Sequence, residues 1–141
     1  MQELAAYERA ADEVAAVVAD LDRALFGAAP ALFAHVAELD GTVVGCAIWY
    51  LTYSTWTGRH GIWLEDLYVQ PAARGTGLGR RLLAALATEC AERGLRRLEW
   101  AVLDWNEPAL RFYHALGAAP VAGWTRHRLD GEALRRLGAE V

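Results

Sequence analysis

Along the chain, hydrophobic positions recur first at helical and then at extended spacing. Between Asp12 and Phe26 the apolar residues Val14, Val17, Val18, Leu21 and Leu25 follow a helical period, and Met1 to Glu8 is rich in Ala, Leu and Glu, so both segments are expected to be helical. Gly27 and Pro30 close that region. The run LFAHVAELDGTVVGCAIWYLTY then predicts two strands joined at Asp40-Gly41, a dipeptide suited to the positive φ angles of a two-residue hairpin turn. A looser STWTGRHG leads to a third strand, IWLEDLYV, ended by Pro71. From Thr76 to Arg93 the residues Leu78, Leu82, Leu83, Leu86 and Cys90 form one apolar stripe, which predicts an amphipathic helix with Gly94 as its C-terminal cap. A strand in RRLEWAVLDW, a short helix in NEPALRFYHALG with Pro108 in its first turn, a last strand around GWTRHRL and a terminal helix in GEALRRLG complete the expected order.

That order predicts an α+β fold: a mixed, mostly antiparallel twisted sheet with one right-handed crossover, flanked by helices. Without repeats or linkers, 141 residues are expected to form a single domain over 1–141. An apolar share of 55% against 23% charged residues places the chain among globular proteins. No apolar run reaches the ~18 residues of a membrane span, and the start lacks the pattern of a signal peptide, so a cytoplasmic location and no membrane partner are expected.

The formal net charge of -4 argues against broad nucleic-acid binding. All fourteen basic residues are Arg, which removes any chemistry needing a lysine of the chain's own. Cys46 and Cys90 lie in separate apolar segments and are expected as buried free thiols, and the four His show no ligand spacing, so no metal site is expected. Ser54, the only serine, has no G-x-S-x-G around it.

Candidate chemistry concentrates in LEDLYVQPAARGTGLGRRLLAAL. Two adjacent carboxylates, Glu65 and Asp66, lie on the third strand, where an undistorted pleat points them to opposite faces. Five residues after the strand comes Arg74-Gly75-Thr76-Gly77-Leu78-Gly79, followed by Arg80 and Arg81. A glycine turn opening a helix offers unpaired backbone N–H groups and the positive end of the helix dipole to a phosphate. The turn is neither a Walker loop, for want of Lys, nor a G-x-G-x-x-G fingerprint, whose third glycine is missing.

QPAARGTGLGRRLL after a strand resembles the acyl-CoA pyrophosphate loop of the GNAT N-acetyltransferase superfamily, with its signature Q/R-x-x-G-x-G/A. YSTWTGRHGIWLEDLYVQPAARGTGLG and AVLDWNEPALRFYHALGA resemble that superfamily's diamine acetyltransferases, a group that includes the spermidine/spermine and thialysine enzymes; YSTW and AVLDWN lean toward the thialysine-type branch. The similarity runs from about Glu3 to Trp124.

The resemblance implies a GNAT fold, acetyl-CoA as co-substrate, a small primary amine as acceptor and a homodimer. It implies a β-bulge that brings Glu65 and Asp66 toward one cleft, with the backbone of Leu67 and Val69 and the turn Arg74, Gly75, Thr76, Gly77, Leu78, Gly79 and Arg80 holding the acyl-CoA. Asn106 and Tyr113 match residues that contact CoA, Tyr113 as general acid. Trp56, Trp124, Tyr7 and Glu8 match the amine cleft, while Trp63 and Trp100 are expected in the core. The family ordinarily begins with a first strand ahead of the ELAAYE segment, whereas this sequence starts inside the helix that follows, so an N-terminally short domain is expected, through either a start assigned too far downstream or a sheet without that edge strand.

Amine acetylation itself demands a base. An alkylammonium with a pKa of roughly 10.4 is neutral in only on the order of one part in a thousand at pH 7. A carboxylate acting through water suits that task, with Glu65 as the expected base and Asp66 holding a second ammonium. The competing readings are a non-catalytic acyl-CoA-binding module, and an acetyltransferase for a protein N-terminus or an aminoglycoside.

Overall fold

Asp40 and Gly41, both with positive φ (49° and 77°), close the predicted two-residue hairpin between β1 (Phe33–Leu39) and β2 (Thr42–Ser54). The computed structural model describes residues 2–140, the Ala11 side chain excepted. The chain divides into two compact units, Met1–Ala101 and Val102–Val141.

In the first unit β2 returns through Thr55 to Gly58 into β3 (Arg59–Val69), and the four-stranded sheet has the order β1-β2-β3-β4. β1, β2 and β3 pair antiparallel, whereas β4 (Leu98–Glu99) runs parallel to β3, the crossover between them containing α3 (Leu78–Glu92). The second and third strands thus both extend further into STWTGRHG than the sequence pattern predicts, leaving a tight second hairpin.

α3 supplies the core. Leu78, Leu82, Leu83 and Leu86 are buried along one stripe, as expected, and face a sheet surface that includes Ala47, Trp49, Ile62 and Leu64, all nearly inaccessible. Cys90, the last position of the stripe, is only half-buried. At its C-terminal end α3 is tied to the same surface by polar contacts. Glu89 of α3 lies 4.0 Å from Nε2 of His35, whose Nδ1 accepts the Trp49 indole N–H (3.1 Å), and the Arg93 guanidinium lies 5.7 Å from both the Phe33 and Trp49 ring centroids. Gly94 takes positive φ just past the helix, as its capping role requires.

Three expectations are corrected. The helix predicted over 12–26 is a short 3-10 turn (Ala11–Glu13), an extended link and then α2 (Val18–Phe26), because the Asp20 carboxylate accepts the Val17 N–H (3.1 Å) and starts the helix there, after two β-branched residues in extended backbone. RRLEWAVLDW contributes only Leu98 and Glu99 to the sheet; a bulge in β3 just past Trp63, the last paired residue, turns the strand out of the parallel ladder. GWTRHRL forms no strand: Trp124 to Leu129 are all exposed, so the segment has no apolar face to bury.

Around these, α1 (Gln2–Tyr7) lies where a helix was expected, with Leu4 and Ala5 buried. The second unit contains α4 (Glu107–Ala115) and α5 (Gly131–Gly138). Asn106 caps α4, its side-chain oxygen accepting the Ala109 N–H at 3.3 Å; Pro108 sits in the first turn and Gly117 ends the helix with positive φ, as predicted.

Candidate active site

The strand register places the two carboxylates. Asp66 is opposite Ile48 and Trp63 is opposite Tyr50, while Trp49 is opposite Leu64; Glu65 is therefore the extra residue of a β-bulge. Directly opposed residues share a face, and Ile48 and Tyr50, two apart, share one too, so Asp66 and Trp63 project from the same side of the sheet. Trp63 Nε1 donates to Oε2 of Glu65 at 2.8 Å, which brings the Glu65 carboxylate to that side as well. The bulge undoes the alternation that would have parted the pair.

Asp66 is half-buried where Glu65 is exposed. Burial first, then the negative charges of Glu65 and of Glu8 just past α1, push the Asp66 carboxyl up to about 6. Three carboxylates thus share one electrostatic neighbourhood. Cys46 faces it from β2; burial pushes its thiol up, and Asp66 adds to the effect.

β3 continues into a 3-10 turn (Pro71–Ala73) and the glycine turn. Gly75 and Gly77 have φ of 77° and 84°, and a Cβ at either would meet nothing within 4 Å. Glycine is required there by backbone conformation, and the space beside it is open. The first i→i−4 bond of α3 runs from the Arg81 N–H to the Gly77 carbonyl (3.0 Å), so the amides of Leu78, Gly79 and Arg80 precede the helical ladder. Thr76 is used structurally, its hydroxyl donating to the Ala73 carbonyl at 2.7 Å.

Arg74 links this turn to the carboxylate side. Its Nε donates to the Val69 carbonyl (2.9 Å), and its guanidinium lies 4.8 Å from the Tyr7 ring centroid and 5.7 Å from that of Tyr68. Beyond Trp63 no strand among the described residues pairs with the outer edge of β3, so the edge carrying Leu67 and Val69 is left to other partners.

This chain matches the Acetyltransferase (GNAT) family over residues 2–118. It belongs to that family. Among relatives of this acetyltransferase, a thialysine N-epsilon-acetyltransferase of Bos taurus is 38% identical, over 99% of this chain and 88% of the relative. An L-ornithine N5-acetyltransferase of Arabidopsis thaliana is 34% identical over 70% of this chain and 43% of its own length. An integron cassette protein from V. cholerae has a similar structure, with a TM-score of 0.81, 27% identity and coverage of 97% of this chain and 86% of that one.

A GNAT N-acetyltransferase takes its acetyl group from acetyl-CoA, and this chain's residues fit that co-substrate. Open space beside Gly75 and Gly77, amides ahead of the α3 ladder and the charges of Arg74, Arg80 and Arg81 suit a pyrophosphate, and the outer edge of β3 suits an amide-containing arm. Gly77→Ala is expected to cost about 1 kcal/mol in folding stability from the left-handed backbone alone. Calorimetry should also show acetyl-CoA bound several-fold more weakly; unchanged affinity would remove the turn from the binding site.

Other expected site residues fall into two groups. Within the first unit Tyr7 is brought toward the turn by Arg74, and Glu8 toward Asp66. Trp56, 91% exposed, is at the tip of the second hairpin, and Ser54 at its base lies roughly 20 Å along β2 from Ile48, the neighbour of Asp66. Trp56 is therefore outside its own chain's carboxylate cluster. In the second unit Asn106 is buried and Tyr113 half-buried on α4, about two turns apart on nearly one face; Trp124 is 78% exposed.

Trp100 is half-buried. Trp63, expected in the core, is half-buried and bonds the carboxylate two residues on. Its i, i+2 spacing to Glu65 was the available signal. The buried tryptophan of the sheet is Trp49.

Proposed function

We propose that this acetyltransferase acetylates the primary amine of a small cation of the thialysine, lysine, diamine or polyamine kind, by direct transfer in a ternary complex. The observation that carries the reading is the convergence of Glu65 and Asp66 on one side of the sheet, on the strand that leads into the glycine turn, with the charge of Glu8 felt at Asp66. The names of the thialysine and ornithine relatives support it.

Glu65 accepts the ammonium proton through water, being the more exposed of the pair. Asp66 and Glu8 hold the second positive charge by ion pairing, and Tyr7 contributes an aromatic face. Leu67 and Val69 hold the acyl-CoA arm by backbone bonds, the turn from Arg74 to Arg80 holds its pyrophosphate, and Asn106 contacts it as well. Tyr113 provides the proton that the leaving thiolate needs. The proposal extends to a single domain over 1–141, in keeping with a family match that runs from the first unit into the second as far as residue 118, and to a cytoplasmic homodimer in which Trp56 and Trp124 line amine clefts. No described helix is long and apolar enough to cross a membrane.

A thiol-release assay with thialysine, lysine, ornithine, putrescine, spermidine and a monoamine of matched length tests this. Release is expected with at least one dication, with a several-fold preference over the monoamine. Acetyl-CoA binding without release from any amine would leave a non-catalytic binding module, and a monomeric mass in sedimentation would remove the homodimer.

A further inference from the structure

We propose that Trp63 is a positioning residue for this acetyl transfer: its indole N–H holds the bulged Glu65 carboxylate beside Asp66, in the orientation from which it takes the amine's proton. The inference rests on the amine reading above and names a residue which that reading leaves in the sheet.

A β-bulge leaves its extra residue outside the ladder, so nothing in the strand pairing fixes the direction of the Glu65 side chain. An exposed glutamate on a strand samples several rotamers, and a proton acceptor spread over several positions loses the geometric advantage on which catalysis by proximity depends. Trp63 supplies the missing restraint. Its bond to Oε2 is 2.8 Å, within the range of a charge-assisted N–H···O⁻ contact. The indole is itself placed by the sheet, opposite Tyr50 on β2 and Glu99 on β4, one residue before the bulge sequence begins.

The choice of side chain matters chemically. An indole N–H only donates and does not titrate, so it holds a carboxylate without competing for the proton being removed. It also occupies one oxygen and leaves the acid's second oxygen as the acceptor. The neighbourhood of Asp66 agrees with this placement: after burial, Glu65 on its own strand raises the Asp66 carboxyl most, ahead of Glu8 beyond α1, the chain's N-terminal ammonium acts in the opposite sense, and Cys46 faces it from β2.

Steady-state kinetics and pH profiles of Trp63→Phe and Trp63→Tyr test the assignment in the full chain. Trp63→Phe keeps an aromatic body and loses the donor; kcat is expected to fall about tenfold, with KM for acetyl-CoA unchanged. The acid limb of the amine kcat/KM profile should move below pH 6, because Glu65 no longer stays beside Asp66. Trp63→Tyr, which keeps a donor, should recover part of both effects.

A loss of activity shared equally by both variants, with no movement of the limb, would show a merely structural tryptophan and overturn the proposal. So would Trp63→Phe with kcat within twofold of wild type. If Trp63→Phe does not fold, ¹⁵N-labelled wild type and Glu65→Gln decide: loss of the charged acceptor should shift the Trp63 indole N–H resonance upfield, and an unmoved resonance overturns the contact. Absence of amine turnover by the wild-type chain, by contrast, would overturn the amine reading itself while leaving this resonance test standing.

Discussion

Glu65→Gln is expected to lower kcat/KM for the amine by about 10²-fold or more, the usual contribution of a positioned base, while acetyl-CoA still binds. The amide keeps the side chain's size and can still accept the Trp63 indole bond, but it cannot take a proton. Because Glu65 is exposed, thermal unfolding should hardly change. Stopped-flow thiol release alongside acetyl-CoA calorimetry checks both halves; a variant retaining more than half of wild-type kcat/KM would move the base elsewhere.

Asp66 gives the companion result a distinctive sign. Its carboxyl is raised to about 6 by burial and by Glu65 and Glu8. As pH falls through 6 it gains a proton, the cluster loses a negative charge, and the amine's KM should climb, with little change above pH 7. Stability runs the other way. A carboxyl whose folded value lies above its ordinary value of 3.8 binds more protons in the folded chain than in the unfolded one, so its contribution becomes more favourable as pH falls through about 6 toward that ordinary value. Asp66→Asn should therefore bind the dication more weakly, lose the acid limb near pH 6, and melt at a higher temperature than wild type at neutral pH. A lower melting temperature would mean that Asp66 is held in place as a structural anion.

Tyr113→Phe should lower kcat by about 10²-fold with both KM values nearly unchanged, as expected when a proton donor is removed without loss of binding. Phe keeps the ring, whose centroid lies 5.2 Å from that of Phe112, so α4 should remain folded. Circular dichroism and single-turnover rates distinguish loss of the acid from loss of the helix. A kcat within twofold of wild type would take Tyr113 out of the reaction.

Much of the frame was legible in the linear pattern, for local reasons. Asp40-Gly41 specifies its own turn, the leucines of α3 specify a buried stripe, and Asn106 with Pro108 starts α4, since each depends on neighbours within a turn or two of chain. Local pattern failed where long-range pairing decides. GWTRHRL is exposed throughout from Trp124 to Leu129 and forms no strand, and RRLEWAVLDW pairs with β3 only at Leu98 and Glu99.

The candidate site divides along the same line. Residue types and spacing alone established a phosphate-suited glycine turn five residues beyond a carboxylate pair, and the open positive-φ backbone at Gly75 and Gly77 follows from glycine's lack of a Cβ. Pleat geometry alone would have sent Glu65 and Asp66 to opposite faces. The resemblance implied a bulge here, and the tertiary structure shows the two on one side of the sheet, because the register of β3 on β2 is set by burial of Trp49 and Leu64 beneath α3, and the extra residue that this register leaves over is Glu65. The same packing raised the Asp66 carboxyl above its ordinary value, a property of burial and of neighbours brought in from other elements, whereas the Trp63–Glu65 contact joins residues two apart on one strand.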